Sequence, residues 1–231
     1  MDGSRPDDFN RGPGPVTVRV VRTLDEFQKI VAMRALIYMA EQDCPYDEEF
    51  DGNDLAGATH LLAEINGEPV GCMRVRWFCE FAKVERSCVR PDYRSHRIGY
   101  VMMDRAIDLI RAKGYRKVLG HAQDHLVGYW ERYGLLPRED RKTFVFSERS
   151  YREVLGVFPE REDALTLDVD PLILDRPEGA WDRPGPLDRS IARGAKSGAQ
   201  TQSAQSETAR SKAGAGTSGA GRRKTGRKEK V

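Results

Sequence analysis

Four cysteines in 231 residues (Cys44, Cys72, Cys79 and Cys88), none paired as C-x-x-C, exclude the usual spacing of a structural zinc site or a dithiol oxidoreductase. Cys72, Cys79 and Cys88 fall in strand-like runs and read as buried, reduced small hydrophobes. No metal-ligand spacing is visible, so no metal is expected. No apolar run approaches the ~18 residues that span a bilayer, and MDGSRPDDFNRGPGP has no apolar h-region, so the chain reads as soluble and cytoplasmic. There is no G-x-x-x-x-G-K-[ST] loop. Of a dinucleotide-binding glycine trio only Gly99 is present. No internal repeat is found.

Charge is unevenly spread. Residues 189–231 hold eleven Lys/Arg and two Glu, a charge of +9, which leaves −7 on the first 188 residues against a total of +2. An acidic body tolerates a cationic substrate, and the basic tail suits a second partner. GRRKTGRKEK (221–230) fits weak nucleic-acid or anionic-surface contact by counterion release, or a merely solubilising tail. It has no aromatic residue for stacking, so base-specific reading is not expected.

Residues 1–14 read as a flexible leader, 15–171 as one domain, 172–192 as an extended arm and 193–231 as a disordered tail, too poor in apolar residues to offset ordering entropy. Within the domain, 15–23 alternates like a strand. Thr23 and Glu26 form a capping-box pattern, opening a helix to about Gln42 with Phe27, Ile30, Val31, Leu36 and Ile37 on its apolar face. THLLAEI and PVGCMRVRWF read as strands joined by an NGE hairpin turn, and 81–90 as a third. A helix stopping at Gly114, a strand over 115–122, a short helix over 125–134 and strands over 143–149 and 164–170 follow. This order predicts an α/β (α+β) domain with a mixed, mostly antiparallel sheet flanked by helices.

RPDYRSHRIG (90–99) places Arg90, Arg94 and Arg97 just before a helix whose free N–H groups already carry partial positive charge. Cations there weaken the helix. Either they are solvated charges at a turn, or an anion such as a pyrophosphate is held there.

V-R-P-D-Y-R-S-H-R-I-G, a helix, a strand and then Y-W-E-R-Y-G-L resemble the central pattern of the GNAT superfamily, the acyl-CoA-dependent N-acyltransferases. Glu41–Gln42, Thr59–Leu62, Pro69–Gly71 and His121–Leu126 extend the resemblance, to small bacterial GNAT enzymes in particular, over about Val16 to Val169. It implies acetyl-CoA as co-substrate, a primary amine on a small molecule as acceptor, and direct transfer in a ternary complex by a monomer or homodimer. Arg94, Arg97 and the N–H groups of Ile98, Gly99 and Tyr100 would hold the pyrophosphate. The backbone of Ser87, Cys88 and Val89 would meet the pantetheine arm, with Gln123 and Trp130 alongside. Candidate catalytic groups are Glu85 and His121 as bases, with His125 as a further histidine, and Tyr133 on the short helix; Tyr151 and Glu153 would border the acceptor.

Two positions depart from the family pattern. Arg97 replaces a loop glycine, which is compatible with phosphate approach at negative φ. Trp130 stands where the family often has a proton-donating tyrosine, and an indole donates no such proton. Either another group donates the proton or none is needed, since a thiol of pKa ~8.5 leaves readily as thiolate. The alternatives are a catalytically silent acyl-CoA-binding module tethered by its tail, or a transferase for a longer acyl chain.

Overall fold

The computed structural model describes residues 14–191 and 193–194, so nearly all of the leader and tail assignments lie outside the described residues. The strands are β1 (Val16–Val20), β2 (Thr59–Ile65), β3 (Glu68–Trp77), β4 (Ala82–Val89), β5 (Lys117–Gln123), β6 (Leu136–Pro137), β7 (Phe144–Phe146) and β8 (Arg149–Val157). They lie in the order β1-β2-β3-β4-β5-β8-β6, with β7 also on β8. Only β4–β5 is parallel; the other pairs are antiparallel. The expected mixed, mostly antiparallel sheet is therefore present.

Two helices cover opposite faces, which explains why every residue of β2 is buried. Leu61, Ala63 and Ile65 join Met102, Met103, Ala106, Leu109 and Ile110 of α3 (Ile98–Ala112). Leu62 points the other way, to Ile30, Met33 and Ile37 on the α1 side, with Cys72 and Cys88. Helix α1 (Leu24–Arg34) opens on the predicted capping box. It continues as a π-helix over Ala35–Glu41, closed by Gln42 N–H donating to the Ile37 carbonyl (3.1 Å), and the short helix α2 (Tyr46–Glu49) follows. The buried stripe is Ile30, Met33, Arg34 and Ile37; Leu36 is exposed, since it lies about 100° round the helix from Ile37.

The Asn66–Gly67 turn between β2 and β3 has φ of 53° and 81°, a left-handed pair that matches strand twist. A second such turn was not foreseen. Ser147 and Glu148 also have positive φ (43° and 59°), so the strand expected over 143–149 ends at Phe146 and returns as β8, which was not anticipated. The strand expected over 164–170 is absent. Leu165 N–H binds the Ala112 carbonyl (2.8 Å), Leu167 is exposed, and Asp170 caps the short helix α5 (Pro171–Leu174). Nor is 172–192 simply extended. Ala180 is buried and Trp181 packs on the α3 side of the core, with Glu178 bridged to Lys113 (2.9 Å). The chain divides into two units after Arg183, the second holding α6 (Asp188–Ile191). Cys79 is exposed, not buried, because it sits at the tip of the β3–β4 turn beyond the stacked rings of Phe78 and Phe81.

Gly120 on β5 is set by packing. A Cβ there would lie 2.4 Å from the Trp130 ring. Gly120→Ala is expected to displace the indole and cost about 1–3 kcal/mol, the usual penalty of overpacking. Thermal unfolding and Trp fluorescence would register both effects.

Candidate active site

The parallel pairing of β4 with β5 stops at Val84↔Gly120, and the strands then diverge. Beside them opens a cleft of about 790 Å³. The register of β4 against β3 passes from Arg74↔Glu85 to Cys72↔Cys88, so β4 carries one extra residue there, with Arg86 at φ 51°. This bulge presents Ser87, Cys88 and Val89 along the cleft wall. Across from them stand Gln123 from β5, and Tyr129 and Trp130 from α4 (Val127–Glu131).

Ten of the sixteen residues expected at the site line this cleft: Glu85, Ser87, Cys88, Val89, Arg94, His121, Gln123, His125, Trp130 and Tyr151. Arg97, Ile98, Gly99 and Tyr100 lie at the start of α3, joined to the cleft by Tyr129, whose hydroxyl donates to the Gly99 carbonyl (2.7 Å). Tyr133 is not brought to the cleft: its hydroxyl donates to the Tyr100 carbonyl (3.0 Å) and burial pushes its pKa up to about 12.

The arginine segment forms a 3₁₀ turn, Pro91–His96, running into α3. Arg94 pairs with Glu41 (2.6 Å) and binds the Val89 carbonyl (3.2 Å). Arg97 has φ 58° and ψ 18°, the left-handed conformation that the family's glycine adopts freely, and not the negative φ expected of it. Arg97→Gly is therefore expected to be more stable than Arg97→Ala by about 1 kcal/mol, since alanine keeps the clash of Cβ with the carbonyl; paired denaturant melts would show it. The Arg97 and Arg132 guanidiniums flank the Tyr100 ring at 5.4 and 5.0 Å, and neither has a carboxylate partner among the described residues. Tyr100 N–H is already taken by the Arg97 carbonyl (3.0 Å), whereas those of Ile98 and Gly99 have no acceptor among the described residues. Two open amides, nearby arginines and a strand edge exposed by divergence suit a diphosphate followed by an amide-bearing arm.

At the other end lies a charge network. Arg74, 1% exposed, meets Asp51 (2.6 Å), Asp54 (2.8 Å) and Glu85 (2.7 Å). Arg34, also buried, holds Glu49 (2.5 Å) and Asp54 (2.6 Å). Glu85 also pairs with Lys83 (2.8 Å), and despite burial these cations hold its pKa below the ordinary carboxylate range. His60 reads as structural: buried, with Nε2 3.0 Å from the Asp54 carbonyl. His121 is different. Burial, with Lys83 nearby, lowers its pKa, so the ring is neutral at pH 7. It faces Glu153 on β8 (3.9 Å) and packs edge-on against Phe144 (4.8 Å).

Several cleft residues were not foreseen. Tyr38, on the π-helix, donates to the Ser87 carbonyl (2.8 Å). Phe144 and Phe146 flank Tyr151, which receives Gln123 Nε2 (2.9 Å). π-Helical turns concentrate at functional sites, but none is legible in ALIYMAE, a good α-helical string.

The open cleft between diverging parallel strands runs toward the start of α3, where the Ile98 and Gly99 amides have no acceptor among the described residues. Residues 25–135 match the acetyltransferase (GNAT) family. The Bacillus subtilis protein BSU40680 is 28% identical over 121 residues, covering 52% of this chain and 82% of that protein. Escherichia coli ElaA is 26% identical over 120 residues, covering 50% of this chain and 78% of ElaA. The fold is also that of the ElaA crystal structure (TM-score 0.56, 20% identity) and of an acyl-CoA N-acyltransferase from Pseudomonas aeruginosa (TM-score 0.56, 24% identity), each covering 62% of this chain and 99% of the other. Residues 25–135 thus carry the pattern of the GNAT acetyltransferase family, and the chain is similar to its members over that stretch. Among the described residues, no helix is long and apolar enough to cross a membrane.

Proposed function

We propose that this chain transfers an acetyl group from acetyl-CoA to a primary amine of a small molecule, by direct transfer with both substrates bound. The observation that carries this reading is the divergence of β4 and β5 beyond Val84 and Gly120, which opens the backbone of Ser87–Val89 to the cleft. Acetyl-CoA supplies the activated acyl carbon. Arg94, Arg97 and the free amides of Ile98 and Gly99 hold its diphosphate. The backbone of Val89 offers an N–H dipole fixed before reaction, where it polarises an acyl carbonyl at no reorganisation cost.

His121 is the better base. Its neutral ring lines the cleft and can accept a proton from an ammonium directly or through water, whereas Glu85 is committed to Arg74 and Lys83. No side chain need protonate the thiolate, given Trp130 and the distant Tyr133. Glu48 lines the cleft, its carboxylate accepting from Ser147 Oγ and meeting no cation among the described residues, and suits the charge of an incoming amine.

Trp130 at the usual tyrosine position favours the second reading, a silent acyl-CoA-binding module. Thermal-shift screening of the full chain against CoA thioesters of increasing acyl length, followed by thiol release with polyamine and amino-sugar panels, separates the two. Stabilisation by acetyl-CoA with amine-dependent thiol release supports the transferase. Binding without release for any amine supports the silent module.

A further inference from the structure

The thiols of Cys72 and Cys88 take no part in the chemistry above, yet these residues are direct cross-strand partners with Sγ atoms 3.4 Å apart. Both are buried among Ile30, Met33, Ile37 and Leu62, but not equally: Cys72 is 0% exposed, while Cys88 is 6% exposed and lines the cleft. The pair therefore has one sulfur reachable through the cleft and one behind it. Residues opposed in an antiparallel pair have Cα atoms about 4.5–5.5 Å apart, inside the range a disulfide spans, so the two can join without a change of register.

We propose that Cys88 is a thiol–disulfide exchange site for an oxidised pantetheine thiol, the disulfide of coenzyme A, with Cys72 as the resolving thiol. This rests on the reading that the cleft holds coenzyme A with its sulfur end beside Cys88. The Cys88 thiol gives its proton to water and its thiolate attacks one sulfur of the CoA disulfide. That S–S bond breaks, a mixed disulfide forms, and one CoA leaves as thiolate and is protonated. Cys72, deprotonated in turn, attacks Sγ of Cys88, expelling the second CoA and leaving a Cys72–Cys88 disulfide. Two protein thiols are oxidised and one disulfide is reduced to two CoA thiols. Burial and the hydrogen bond with Cys88 hold the Cys72 thiol well above its ordinary pKa, which slows the second step and lets the CoA adduct persist. Exposed Cys79 serves as an internal control for untargeted oxidation.

The test uses the full chain, reduced and freed of reductant, then treated with CoA disulfide or glutathione disulfide and followed by intact mass and peptide mapping. Three results are expected: Cys72→Ser accumulates one CoA on Cys88, wild type proceeds to a Cys72–Cys88 disulfide reversed by dithiothreitol, and excess acetyl-CoA blocks both. CoA disulfide should react at Cys88 at least about tenfold faster than glutathione disulfide, since seating in the cleft makes the attack effectively intramolecular. The modified protein should lose its thermal stabilisation by acetyl-CoA. Mapping on wild type locates the site even if a cysteine variant fails to fold. Modification confined to Cys79, or equal rates with both disulfides and no protection by acetyl-CoA, overturns the proposal. If acetyl-CoA stabilises the protein but Cys88 stays unmodified, this inference alone fails; if acetyl-CoA does not bind, the functional reading fails with it.

Discussion

Arg74→Ala should cost about 3–5 kcal/mol, the penalty for taking a fully buried cation from a cluster of carboxylates that would then rely on Arg34, Lys83 and Arg86. Arg74 is fully enclosed and touches three of them, Asp51, Asp54 and Glu85. For a domain of this size that lowers Tm by roughly 6–20 °C. The loss should also depend on pH. Despite burial, Asp51 is held below ordinary carboxylate values chiefly by Arg74, Asp54 by Arg34 and then Arg74, and Glu85 by Lys83 and then Arg74. Their contribution is complete above the unfolded value of ~4 and disappears as pH falls through the depressed folded values. The gap between wild type and variant should therefore narrow below about pH 4. Glu49 runs the other way, since burial raises its pKa, but Arg34 and Arg86 hold it and not Arg74. Urea melts at pH 7 and pH 3.5 would check this. A constant gap at both would contradict it.

His121→Asn, assayed with whichever amine supports thiol release, should reduce kcat by about 10²–10⁴, the usual worth of a positioned base. Burial sets the imidazole pKa below its ordinary ~6.5, so wild-type kcat/KM should fall off only on the acid side of that value. The variant should lose this limb while its affinity for acetyl-CoA stays unchanged, because His121 faces Glu153 and Phe144 and not the start of α3. A variant that keeps the acid limb would move the base elsewhere, to Glu85 or His125.

What was legible followed from short-range rules. Thr23 and Glu26 marked the start of α1, Asn66–Gly67 marked a hairpin, and the strand-like runs of β2 to β4 marked a sheet. The arginine loop pointed to the start of α3. The acceptor side was not legible. Its turn at Ser147–Glu148 uses left-handed residues that carry no glycine signal, so β8 was missed and with it the position of Phe144 and Phe146. Nothing in the sequence pattern singles out Arg34, Arg74 and Arg86; only the fold shows that they meet Glu49, Asp51, Asp54 and Glu85 around a bulge. The strand assigned to 164–170 failed for a related reason: its alternation is real, but the chain there binds the end of α3 instead of a sheet edge.

The most direct measurement is calorimetric titration of acetyl-CoA into the wild-type chain and into the Arg94→Glu/Arg97→Glu variant, with folding of both verified by circular dichroism. Charge-assisted hydrogen bonds contribute about 1.5–3 kcal/mol each, so the account predicts saturable binding by wild type and a loss of roughly 10²–10⁴ in affinity for the variant. Equal affinities, or a wild-type protein that does not bind acetyl-CoA, would contradict it.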